Sequence, residues 1–130
     1  MEECMADKSR ILIIEDETDF ARALELLLSA KGYDVDSAND GLTGLEKARQ
    51  GNPNNPDLII LDVMLPKING YKIARLLKFD DKFRHIPIIM LTARAEEKDE
   101  QIGMETGADM YMTKPLDNKE LLKNIAKLIK

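Results

Sequence analysis

Three short, unbroken apolar runs constrain this chain more than any other feature: Ile11-Leu12-Ile13-Ile14, Leu58-Ile59-Ile60-Leu61 and Ile88-Ile89-Met90-Leu91. Each is too short to stand as a helix, and isoleucine, which favours extended chain, recurs in all of them. A strand that is apolar at every position has both faces covered, as in a parallel sheet flanked by helices. Two further segments differ. Tyr33 to Ala38 alternates Asp34 and Asp36 with Tyr33, Val35 and Ser37, which suits an edge strand. Met110-Tyr111-Met112 is short and mixed and suits the opposite edge. Amphipathic stretches separate these runs, so the pattern is an alternation of strand and helix.

Phe20, Leu24, Leu27 and Leu28 share one face of a first helix, which Gly32 stops. Leu42, Leu45 and Ala48 mark a second, ended near Gly51. Tyr71, Ala74, Leu77 and Lys78 give a third after a turn at Asn69-Gly70. Ala95 to Glu105 is mostly polar, with Ile102 as its chief anchor, and reads as a loosely held fourth helix. The last helix opens at Asp117, three residues before Glu120, in the manner of a capping box. Its apolar stripe is Leu121, Leu122, Ile125, Leu128 and Ile129. A length of 130 residues suits one domain with a core of its own. The expected organisation is a polar tail over residues 1–9 and a single domain over 10–130, with no second domain.

The net charge of −5 argues against wrapping a phosphate backbone, and no basic helix is present, so no nucleic-acid partner is expected. Cys4 is the only cysteine and His85 the only histidine, which excludes an internal disulfide and a Cys/His metal cluster. A reducing, cytoplasmic location follows as the expectation. No apolar run approaches the ~20 residues of a membrane span, and Met1 to Arg10 lacks the apolar core of a signal peptide. His85 reads as a surface residue in a connection and the methionines as core gap-fillers.

The polar residues that look out of place share one address. Glu15-Asp16 follow the first strand, Asp62 the third, Thr92 the fourth and Lys114 the fifth. In an open parallel sheet those carboxyl ends line a common crevice, where such folds bind ligands. Taken singly, Glu15 to Asp19 is a solvated acidic loop, Asp62 a turn former and Lys114 a surface lysine. Taken together they form a constellation. Crowded carboxylates repel, and a hard cation such as Mg²⁺, which prefers oxygen ligands, relieves the repulsion. Beside it a carboxylate is a competent nucleophile toward phosphorus, and an ammonium and a hydroxyl complete a clamp on phosphoryl oxygens.

The carrying segments are Ile13-Ile14-Glu15-Asp16-Glu17, Leu61-Asp62-Val63-Met64-Leu65-Pro66, Asn69-Gly70, Met90-Leu91-Thr92-Ala93, Gly107-Ala108-Asp109 and Tyr111-Met112-Thr113-Lys114-Pro115. In this order and spacing the chain resembles the receiver domain of the two-component response-regulator family, in its stand-alone, chemotaxis-regulator-like form, over roughly residues 10 to 130. The resemblance implies a flavodoxin-like doubly wound (βα)5 fold with a parallel sheet in the order 2-1-3-4-5. It implies that Asp62 is the phosphoacceptor. Asp16, Asp62 and the backbone carbonyl of Met64 would ligate Mg²⁺, with Glu15 helping directly or through a water. Lys114 would hold a phosphoryl oxygen and precede a cis bond to Pro115. Thr92 would hydrogen-bond the phosphoryl group, small Ala93 would leave its approach open, and Met64 and Arg94 would tune dephosphorylation. The phosphoryl donor would be a histidine kinase or a histidine phosphotransfer protein.

Phosphorylation would turn Thr92 toward the new charge and let Tyr111 swing inward. The output would then pass to a protein target through the face made by the fourth helix, fifth strand and fifth helix. A monomer or a phosphorylation-dependent dimer is expected. The family often has two aspartates where this chain has Glu15-Asp16, and the loop Gly51 to Pro56 is longer than usual but belongs to the far end of the sheet. Three other readings share the fold or the chemistry. A Mg²⁺-dependent aspartyl phosphohydrolase would carry an acid where Met64 stands, and an FMN binder would need a Ser/Thr/Gly-rich loop where Glu15-Asp16-Glu17 stands. The third is a receiver-like interaction module that acts without phosphorylation. On the leading reading the chain is a signalling domain and not an enzyme, with self-directed phosphotransfer and autodephosphorylation only.

Overall fold

The computed structural model describes residues 9–50, 55–65, 67–92 and 107–129. Along the chain run β1 (Arg10–Ile14), α1 (Thr18–Ala30), β2 (Asp34–Ala38), α2 (Gly41–Ala48), β3 (Leu58–Asp62), α3 (Gly70–Lys78), β4 (Ile88–Thr92), β5 (Met110–Thr113) and α4 (Asn118–Ile129). All neighbouring strands pair in parallel, in the order β2-β1-β3-β4-β5. This is the flavodoxin-like doubly wound α/β architecture that the family resemblance implied, with the parallel sheet expected from the apolar runs. β3 and β4 are buried throughout, β2 alternates and β5 is half-buried, as central and edge strands should be.

The two-residue period of a strand sorts the sheet into two layers. Leu12, Ile14, Ile59, Leu61, Ile88 and Met90 pack on one side, against Leu45 and Ala48 of α2 and Ile73, Ala74 and Leu77 of α3. Ile11, Ile13, Leu58, Ile60, Ile89 and Leu91 pack on the other, against Ala21, Leu24 and Leu28 of α1 and Leu121 and Ile125 of α4. At about 2 kcal/mol per fully buried Ile or Leu, these layers outweigh the penalty of burying the few acids at one sheet end.

Helix ends follow their expected signals. α1 stops at Ala30, and Gly32 takes φ +97° just beyond it, a conformation that suits glycine. Asp40 and Asn69 cap α2 and α3 by accepting from the backbone N–H of Thr43 and Lys72. Asp117 Oδ1 accepts from the N–H of Lys119 at 3.0 Å and of Glu120 at 3.4 Å.

Three expectations need correction. Leu42 is 48% exposed, so it is not part of the buried face of α2. That face is Gly41, Gly44, Leu45 and Ala48, because a Cβ on Gly44 would stand only 2.7 Å from the Ile14 side chain. Small residues bring α2 close to β1 where large ones would hold it off. The stripe of α3 includes buried Ile73, whereas Tyr71 is half-buried and Lys78 is taken up by an ion pair. Met64 is 73% exposed and fills no core gap, unlike fully buried Met90. His85 is exposed, as expected. Asp57 N–H donates to the Arg10 carbonyl, so the connection entering β3 lies at the amino-terminal end of the sheet. The readings of Ala95 to Glu105 as a helix, and of Cys4, Pro66, Ala93 and Arg94, fall outside the described residues.

Candidate functional site

Parallel pairing sends every carboxyl end the same way, so β1, β3, β4 and β5 deliver their last residues to one rim. Asp62 and Thr92 are the final residues of β3 and β4, paired in register with Leu91 and Thr113. Lys114 follows β5, and its N–H donates to the Thr92 carbonyl at 2.7 Å. Glu15 follows β1, its N–H held by the Ala38 carbonyl of β2 at 3.0 Å. The side chains of Glu15, Asp62 and Lys114 then meet.

Lys114 Nζ lies 3.0 Å from Glu15 Oε1, 3.5 Å from Asp62 Oδ2 and 3.9 Å from Glu17 Oε1. Glu15 is 1% exposed and Asp62 5%, while Asp16 is exposed. Carboxylate oxygens of Glu15, Asp16 and Asp62 lie within 4.8 Å of one another. Asp62 Oδ1 accepts from the Met64 N–H at 3.3 Å, and Glu15 Oε2 from the Glu17 N–H at 3.0 Å. Glu15 Oε1 is buried and has no hydrogen-bond partner among the described residues. The Lys114 ammonium, 3.0 Å away, forms an ion pair with it.

Burial is the main force on Glu15 and pushes its carboxyl up to about 7. The Glu17 N–H and Lys114 oppose this without cancelling it, and Asp62 adds to the rise. Burial works to lower Lys114, but Glu15 and Asp62 outweigh it and hold the ammonium above its ordinary value. The donor set is therefore all oxygen, crowded, and served by a single ammonium among three carboxylates. A divalent cation fits it.

Thr92 is 5% exposed at the end of β4. Tyr111 pairs with Met90 in the register that pairs Thr113 with Thr92, so Thr92 and Tyr111 share a sheet face. Tyr111 packs against the α2–α3 core layer, and its hydroxyl is already buried, with no hydrogen-bond partner among the described residues. The Lys114–Pro115 peptide bond is cis.

Some contributors escaped the sequence reading. The Phe20 ring lies 4.5 Å from Lys114 Nζ, although Phe20 read only as a member of the apolar face of α1. Glu17 read only as part of an acidic run. Gly70 read as a turn glycine, yet a Cβ there would run into the Asp62 carbonyl oxygen, so the glycine lets α3 start against the end of β3. Its N–H donates to the Val63 carbonyl at 2.8 Å. Lys67 takes φ +75° in the same loop and reaches Asp40 at 3.8 Å. An Asn-Gly pair after a strand-ending aspartate was the one available signal.

A doubly wound parallel sheet with an acid cluster and a lysine at its carboxyl rim defines a flavodoxin-like α/β domain. Residues 11–126 match the family described as the response regulator receiver domain. The chain belongs to that family, and is a receiver domain of two-component response regulators. It is 44% identical over 122 residues to the response regulator ArlR of Staphylococcus saprophyticus, covering 94% of this chain and 53% of that protein. It spans about half the length of the curated relatives it matches. Among solved structures it is similar to the chemotaxis protein CheY4 of Vibrio cholerae, with a TM-score of 0.84, 27% identity and coverage of 93% of this chain and 98% of that one. It is also similar to the phosphorylated cyanobacterial phytochrome response regulator RcpA, with a TM-score of 0.79, 25% identity and coverage of 93% and 91%. No helix among the described residues is long and apolar enough to cross a membrane.

Proposed function

We propose that residues 10–130 act as the phosphoacceptor of a two-component phosphorelay, with Asp62 as the acceptor. An Asp62 carboxylate oxygen attacks the phosphorus of a phosphohistidine on a histidine kinase or phosphotransfer protein. A phosphorus–oxygen bond forms to Asp62, the phosphorus–nitrogen bond breaks, and the departing imidazole takes a proton from solvent. Asp16, Asp62 and the Met64 carbonyl, with Glu15 directly or through a water, would hold Mg²⁺, which would supply neutralisation of phosphoryl charge. Lys114 gives its ammonium to a phosphoryl oxygen and Thr92 its hydroxyl to another. The product replaces the single charge of the carboxylate with a phosphoryl group carrying close to two, and the added charge biases Thr92, Tyr111 and the face built on β5 and α4. A downstream protein reads that face. The domain works in the cytoplasm, as a monomer or a phosphorylation-dependent dimer, and its output passes through protein contacts.

One observation carries this reading: Lys114 reaches both Glu15 and Asp62 inside a cluster that also holds Asp16. Likeness to the phosphorylated RcpA supports it. The test is the intact mass of the protein after incubation with acetyl phosphate and Mg²⁺. Wild type should gain one phosphoryl group, and Asp62→Asn should gain none. Equal labelling of both proteins would move the acceptor elsewhere.

A further inference from the structure

We propose that Phe20 is a positioning residue for phosphoryl transfer, acting through Lys114; the inference rests on the phosphoacceptor reading of Asp62. The Lys114 ammonium stands 4.5 Å from the centre of the Phe20 ring, a separation at which the negative ring face attracts a cation. Phe20 lies in the first turn of α1, packed at the edge of the core layer between α1 and α4. Among the described residues, the charged neighbours of the ammonium are acids: Glu15 at 3.0 Å, Asp62 at 3.5 Å and Glu17 at 3.9 Å.

Lysine is a point charge on a flexible four-carbon stem with rotatable donors. Left to carboxylates alone, it would settle on Glu15, the nearest and most buried. Its N–H groups would then be committed away from the place where a phosphoryl group on Asp62 presents its oxygens. The ring offers attraction without an acceptor lone pair, so it is an anchor for the ammonium that consumes none of its N–H donors. The attraction is also broad in direction. The ammonium can move from Asp62 Oδ2 to a phosphoryl oxygen without leaving the ring face. The ring covers that side against water, and the Lys114 side chain is 19% exposed.

Leucine at this position keeps apolar cover and loses the ring quadrupole, whereas tyrosine keeps both. Phosphoryl gain from acetyl phosphate with Mg²⁺, followed over time by intact mass, should be roughly three- to tenfold slower in Phe20→Leu than in wild type. Phe20→Tyr should restore the rate to within about twofold of wild type. All three proteins should unfold cooperatively and well above the assay temperature, which separates positioning from a loss of fold. In proton NMR, the Lys114 ε-methylene resonances should be shifted upfield by the ring in wild type and Phe20→Tyr, and relieved in Phe20→Leu. A Phe20→Leu protein as fast as wild type, or equally slow leucine and tyrosine variants, would overturn the inference and leave the acceptor reading intact. A wild type that gains no phosphoryl group would overturn both.

Discussion

The Glu15 carboxyl titrates near neutrality because burial, more than any one neighbour, sets its environment. The folded, metal-free protein holds a proton there over the interval from 4.5 to about 7, where the unfolded chain has released it. Folding is favoured at the acid end of that interval, and the advantage is lost as pH rises through about 7. About 2 kcal/mol is at stake once coupling to Asp62 is allowed for. Denaturant unfolding in chelator should show wild-type stability falling across the interval relative to Glu15→Gln, and parallel curves would remove Glu15 as the cause. Mg²⁺ bound as proposed would compete with the same proton, so wild-type affinity should rise with pH there, which titration calorimetry in buffers of different ionisation heat can read. Tyr111 gives a second residue-scale expectation. Its hydroxyl is buried without a hydrogen-bond partner among the described residues, so Tyr111→Phe should leave stability unchanged or raise it by about 1 kcal/mol. A loss of that size would mean the hydroxyl has a partner. Glu15, Asp62 and Lys114 were legible as candidates because charge at the end of an apolar run is unusual. Phe20 was not, because an aromatic on an amphipathic helix already has a sufficient explanation as core.

Elements are held by contacts that residue type alone does not announce. α3 is fixed at its start by Gly70 against the Asp62 carbonyl. At its end Lys78 Nζ lies 2.7 Å from Asp109 Oδ2 and donates to the carbonyls of Arg84 at 3.1 Å and Ile86 at 2.7 Å. Lys78→Met keeps the stem but leaves Asp109 and two carbonyls short of a donor. A loss of about 2 kcal/mol is expected in denaturant unfolding, and a neutral result would show that water replaces the ammonium freely. α2 makes the complementary point. Its contact face is largely glycine and alanine, so hydrophobic periodicity picked out Leu42, which faces solvent. Gly44→Ala should cost about 1–3 kcal/mol, because its Cβ meets Ile14 side-chain atoms that are locked in the core. A stable alanine variant would mean that α2 can shift away from β1.

At the scale of the whole molecule, the division into central and edge strands was legible because burial on both faces and burial on one write different patterns, and the family resemblance supplied the order. Continuous runs became β1, β3 and β4, and mixed segments became the edges β2 and β5. The site was legible for the same reason, since once the order is known the parallel topology dictates which loops share a rim. Side-chain meetings across that rim were not, because Lys114 finds Glu17 and Phe20 through space and no spacing along the chain encodes them. The central claim is that this rim makes Asp62 a metal-assisted phosphoryl acceptor. Borohydride reduction after incubation with acetyl phosphate converts an aspartyl phosphate to homoserine, and peptide mass spectrometry then locates it. Homoserine is expected at position 62 with Mg²⁺ present and little with chelator. Homoserine at another aspartate, or equal conversion without the metal, would contradict it.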